Sequence, residues 1–183
     1  MVILQQNLKT MKKILIPLLP LLTLFTACQQ GGESAQKHLR DEISALETKL
    51  LETKDASKDK DAALQLIEKT EQYAKNYPQD TLTPVLLFRA GDVAKGAREF
   101  GKAVLLWGQV WRNYKNHPNA PMALFLQGYT FDAELHDAKM ASKYYNQFLL
   151  QYPNHEWAEQ ARQLLSVVDV KPEDLIKKFE ITE

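Results

Sequence analysis

Residues 91–118 read GDVAKGAREFGKAVLLWGQVWRNYKNHP, and residues 128–153 read GYTFDAELHDAKMASKYYNQFLLQYP. One pattern is written in both. Gly91 is followed by Ala94, Ala103, Trp107, Val110 and Pro118, and Gly128 by Phe131, Ala141, Tyr145, Phe148 and Pro153. A further copy of the ending stands at Tyr77-Pro78, so the three prolines fall 40 and then 35 residues apart. A period in that range, built from apolar residues at helical spacing, marks a helical solenoid of stacked two-helix units. Solenoids present surfaces more often than they carry chemistry, so the repeat argues for binding.

The helical pattern extends in both directions from this core. Residues 60–76 place Ala63, Leu66, Ile67, Thr70, Tyr73 and Ala74 on one face, and Pro78 ends that helix. Thr83 followed by Pro84 reads as a cap with proline at the first helical position, where its missing N–H costs least. Helices are then expected over 84–97, 99–115, 120–134 and 138–151, the last capped by Asp137. Asn154 is expected to cap a long helix through Val168, and Pro172 to open a short one whose Leu175, Ile176 and Phe179 cover the open end of the stack. Toward the N-terminus, Leu39, Ile43, Leu46 and Leu50 recur at spacings of four, three and four, a single apolar stripe on a helix over 35–53. No stretch alternates with period two. The expected fold is therefore all-α, a solenoid of about three antiparallel helix pairs over residues 59–168, with a capping helix in 169–183 and an N-terminal helix and loop in 35–58.

Composition narrows the function classes. The chain has 23 basic and 23 acidic residues, and no basic stripe that would call for nucleic acid. Lys12 and Lys13 precede an apolar run from Ile14 to Ala27 that is short for a membrane span and is broken by Pro17 and Pro20. That run suits the h-region of a secretory signal over residues 1–27, with Met11 as an alternative start. It ends at Cys28, the single cysteine, so no disulfide forms within the chain. Residues 28–34, with Gly31 and Gly32, read as a flexible tether.

The ending Phe25-Thr26-Ala27-Cys28 resembles the bacterial lipobox. That resemblance implies lipid attachment at Cys28 and, with Gln29 after the cysteine, the periplasmic face of the outer membrane. Two or more acyl chains anchor a protein stably. The repeat resembles the tetratricopeptide family. In that family small residues sit where helices cross closely, here Gly91, Gly128, Ala103 and Ala141. Bulky residues follow at Trp107, Val110, Tyr145 and Phe148, and proline closes each unit at Pro118 and Pro153. In this alignment the first repeat carries about three extra residues before Pro118, roughly one more turn of its second helix. The endings Asn76-Tyr77-Pro78, Asn116-His117-Pro118 and Gln151-Tyr152-Pro153 are similar to the envelope branch of the family. That branch includes the Tol-Pal-associated division coordinators and the barrel-assembly lipoproteins.

No catalytic constellation is evident. His38, His117, His136 and His155 form no metal-ligand pair on one helix, and Gly91, Gly96 and Gly101 do not make a phosphate loop. No metal and no cofactor is expected, and the protein is not expected to be an enzyme. The resemblance implies instead a concave wall lined by the first helix of each pair. Its inner positions become Phe88, Asp92 and Lys95, then Met122, Phe125, Tyr129 and Asp132, then Trp157 and Gln160. Such an aromatic strip among charges suits an extended or helical peptide of an envelope partner, bound by a monomeric domain. Phe88, Phe125 and Tyr129 have a competing reading as filling between helices. A second functional reading uses residues 35–53 as a short oligomeric coiled coil of a soluble assembly module.

Overall fold

A computed structural model describes residues 23–53 and 55–168, with side chains from Glu33 onward. The described residues form seven α-helices and no strand. These are α1 (Thr23–Thr53), α2 (Lys60–Asn76), α3 (Thr83–Gly96), α4 (Phe100–Asn113), α5 (Ala120–Ala133), α6 (Ala138–Gln151) and α7 (Ala158–Leu165). The chain divides into two units, residues 1–38 and 39–183. In the first, the described part is helical backbone from Thr23. The second contains the helix stack.

Within the stack, α2 packs on α3, α3 on α4, and so on to α7, so each helix rests chiefly on its neighbours in sequence. Short connections make those neighbours antiparallel. Leu50, Ala63, Leu66, Ile67, Leu87, Ala90, Trp107 and Val110 form one buried core, and Leu124, Phe125, Ala141, Tyr145, Phe148 and Ala161 a second. Helix α5 buries residues on more than one side because α4 and α6 both cover it. Its Gln127 is fully buried, accepting from the Trp111 indole and donating to the Val104 carbonyl, so both ends of the amide are satisfied.

The end of α1 belongs to the stack. Leu39 and Ile43 are buried with Tyr73 and Leu86, and Leu50 joins the larger core. Glu42 pairs with Lys69 of α2, and Glu47 with Arg89 of α3. The apolar stripe that the coiled-coil reading needs is thus spent within the chain.

Three connections share one geometry. Tyr77, Tyr114 and Tyr152 end α2, α4 and α6 with φ of −129°, −126° and −131° and ψ of 57°, 51° and 55°. The carbonyl of each accepts from the N–H three residues on, at Asp80, His117 and His155, whose own carbonyls accept from Thr83, Ala120 and Ala158. Side chains repeat too. Asp80 Oδ1 accepts from the Leu82 N–H, His117 Nδ1 from Asn119 and His155 Nδ1 from Trp157.

These turns correct several sequence expectations. The structural equivalent of Pro78 and Pro153 is the residue after Tyr114, which is Lys115, so Pro118 does not end a helix. α4 stops at Asn113 and, at 14 residues, has the same length as α6, with no additional turn. Thr83 is not a cap. It lies inside α3, buried, and its hydroxyl donates to the Tyr77 carbonyl at 2.6 Å while Asp80 serves the turn. Asn154 does not cap α7, which starts four residues later because the His155 turn must close first. Asp137 does cap α6, accepting from the Met140 N–H at 2.9 Å.

The segment read as a tether, residues 28–34, lies within the helical span of α1. Two glycines cost about 1 kcal/mol each relative to alanine, and the flanking Ala, Gln, Glu and Lys residues are good helix formers. The loop expected after the N-terminal helix contains a short 3-10 turn, Ala56–Asp59, opened by Asp55 accepting from the Ser57 N–H. The signal segment through residue 22, the Cys28 side chain and the capping helix of 169–183 lie outside the described residues.

Candidate functional site

The odd-numbered helices meet along one surface. α1 reaches α3 through Glu47 and Arg89, at 3.2 Å. α3 reaches α5 where the Lys95 ammonium lies 4.9 Å from the Tyr129 ring centre. The ring of Phe125 on α5 stands 5.1 Å from that of Trp157, which precedes α7.

Two glycines bring buried aromatics up beneath this surface. A Cβ on Gly91 would stand 2.4 Å from Trp107 Nε1, and one on Gly128 2.9 Å from the Tyr145 ring. Each aromatic then turns its polar end toward the surface. The Trp107 indole donates to the Phe88 carbonyl at 3.2 Å and also faces the Asp92 carboxylate. The Tyr145 hydroxyl donates to Asp132 at 3.1 Å. Burial, then the Asp132 charge, raise the Tyr145 phenol well above its ordinary range, so it stays protonated as donor.

Asp92 is pushed up to about 6 by burial of its carboxylate against the wall, with Trp107 and Lys95 pulling the other way. The residue as a whole is exposed, so water on its open side relieves part of that push.

The candidate binding residues divide into three groups. Asp92, Tyr129, Trp157 and Gln160 are exposed. Lys95, Met122 and Asp132 are half-buried, Asp132 with its carboxylate held by Tyr145. Phe125 is only 3% exposed, packed edge-on to Phe148 at 5.6 Å, and belongs to the core. The family resemblance placed Phe125 on the binding strip, with filling between helices as the competing reading; Trp157 closes over it and the filling role holds. Phe88 is half-buried against the first core.

Sequence reasoning missed a groove at the other end of this surface. Glu47, Leu50 and Leu51 of α1, Asp55 and Ala56 of the following turn, and Arg89, Asp92 and Val93 of α3 enclose about 430 Å³. Leu51 is 77% exposed there. The available signal was that Leu51 is the one leucine of residues 35–53 standing off the apolar stripe.

Among the described residues no group of three or more His, Cys, Asp or Glu side chains is placed to hold a metal ion, and no helix is long and apolar enough to cross a membrane. No protein-family model matches the chain, and no curated protein matches it.

Proposed function

We propose that this chain is a non-catalytic, lipid-anchored scaffold of the bacterial cell envelope. Its tetratricopeptide-like stack presents the surface of α1, α3, α5 and α7 to protein partners. The observation that carries this reading is the groove between α1 and α3 that leaves Leu51 exposed, with Tyr129 and Trp157 exposed further along the same surface. Leu51 is exposed in the groove with Arg89 and Asp92, Tyr129 is exposed beside Lys95, and Trp157 is exposed over Phe125. Exposed apolar and aromatic side chains with charged neighbours are the composition of a docking surface. The lining of the groove holds three acids, Glu47, Asp55 and Asp92, against one base, Arg89, so a partner segment with an apolar anchor flanked by Lys or Arg fits it.

The anchoring half of the proposal rests on Cys28 and the residues before it. The lipid would hold the protein at a leaflet, the periplasmic face of the outer membrane in the reading of Gln29.

Photocrosslinking in the producing cells tests both halves. A crosslinkable residue is placed at Leu51 or Trp157, and at Leu150 of α6, which is 78% exposed, as comparison. We expect one partner from the first two positions and none from Leu150, with Cys28→Ser moving the protein from the membrane to the soluble fraction. Crosslinks only from Leu150 would place docking on another face. Cys28→Ser protein that stays with the membrane would remove the lipid anchor from the reading.

A further inference from the structure

A second site lies on α4 and α6, away from the docking surface. Trp111, Arg112, Lys143, Tyr144 and Gln147 enclose a groove of about 240 Å³. Two of the five are cations and none is an acid. Neither Arg112 nor Lys143 has an ion-pair partner among the described residues.

The arginine is seated rather than loose. Its guanidinium carbon lies 5.5 Å from the Trp111 ring centre. A Cβ on Gly108 would stand 2.7 Å from Arg112 Nη2 and equally close to the Gln127 amide nitrogen, so the absence of a side chain at Gly108 makes the slot. Trp111 is itself fixed by its indole hydrogen bond to buried Gln127. On the opposite wall, Lys143 Nζ lies 5.8 Å from the Tyr144 ring centre, and Tyr144 stacks on Phe131 with 6° between the planes. Aromatic rings thus hold both cations at one groove with no carboxylate to neutralise them. Tyr144 and Gln147, which carry a hydroxyl and an amide as neutral donors, are among the lining residues.

We propose that this groove is an oxyanion site for a phosphomonoester. Two positive charges at one groove match a dianion better than a monoanion. A guanidinium fork suits phosphate oxygens, and the ammonium adds a point charge. The volume leaves room for a small polar body beyond the phosphate. None of the five lining residues belongs to the docking surface proposed above, so the two readings stand or fall separately.

Calorimetric titration of the full-length chain with glycerol phosphate tests the site, with Trp fluorescence as a second readout because Trp111 lies beneath Arg112. We expect saturable binding that weakens about tenfold in Lys143→Gln, about tenfold in Arg112→Gln and about a hundredfold in the double variant, one charge-assisted contact being worth about a factor of ten. Arg112→Lys should recover part of the loss. Lys143 is exposed, so its variant reports on the site even if Arg112→Gln perturbs folding. Vesicles separate the sources. Binding to phosphatidic acid over phosphatidylcholine, lost in Lys143→Gln, identifies a lipid headgroup, and binding of glycerol phosphate alone identifies a free ligand. Three results would overturn the proposal: a response reproduced by sodium chloride at equal ionic strength, equal binding of malonate, or unchanged affinity in a folded Lys143→Gln protein.

Discussion

At the scale of single residues, the two glycines that open the repeats set how far an aromatic can reach. Gly91 lets Trp107 slide under α3, and Gly128 does the same for Tyr145 under α5. Both were legible in the sequence as close-approach positions because their spacings to Trp107 and Tyr145, 16 and 17 residues, agree to within one residue. What those aromatics do with their polar ends was not legible, since it depends on which acid of the neighbouring helix lies above them. Gly91→Ala is therefore expected to destabilise by about 1–3 kcal/mol through overpacking. Gly101, whose added Cβ meets nothing within 4 Å, should instead gain roughly 0.5–1 kcal/mol as alanine. Thermal melts of the two variants should move in opposite directions, and a neutral Gly91→Ala would mean that Trp107 can retreat. Asp92 gives a pH-dependent counterpart. Its folded-state pKa of about 6 lies above the ordinary 3.8, so between those values the folded protein binds more protons than the unfolded chain. Its contribution to stability therefore falls as pH rises through that window. Asp92→Asn keeps an acceptor for Trp107 and removes the charge. It should match the parent at pH 4 and exceed it above pH 6, by under about 1 kcal/mol given the exposure. A constant offset at all pH values would assign the effect to packing.

At the scale of elements, the repeat is most regular in its turns. Asp80, His117 and His155 occupy one position and each accepts from the N–H two residues on. The sequence concealed this because aspartate and histidine look unrelated, although either offers an acceptor at similar reach. The same substitution explains the misread proline period. Tyr77, Tyr114 and Tyr152 stand 37 and 38 residues apart, close to constant, whereas Pro118 has shifted within its turn. Tyrosine carries the register because its backbone ends the helix; proline only has to avoid the helix interior. His155→Asp should keep the parental melting temperature, while His155→Ala should lose about 0.5–1 kcal/mol, the ordinary value of a lost capping acceptor. The parallel substitutions at His117 should behave alike. Loss in both the Asp and the Ala variants would mean that the imidazole acts through its ring contact with Phe148, 5.6 Å away, and not through Nδ1.

At the scale of the whole molecule, helix order and most helix bounds followed from apolar spacing, because a stack in which each helix rests on its neighbours is written locally. The proposed docking surface was only partly visible. Asp92, Tyr129 and Trp157 are exposed there, but Phe125 is covered by Trp157, and the groove beside Leu51 depends on α1 joining the stack. That packing carries a prediction about association. An oligomeric coil needs Leu39, Ile43, Leu46 and Leu50 free to face another chain. In the structure Leu39, Ile43 and Leu50 are buried against α2 and α3, and Leu46 packs on the same core. Exposing them again would forfeit about 1.5–3 kcal/mol for each fully buried leucine or isoleucine, and the coil offers fewer than two heptads in return where three or four are needed. Residues 33–183 should therefore sediment as a monomer at every concentration tested. Ile43→Asp should lower the melting temperature of that monomer because it buries a charge in its own core. A dimer or trimer in the parent, dissociated by the same substitution, would instead show that the stripe faces a second chain, and the soluble assembly module would become the better account.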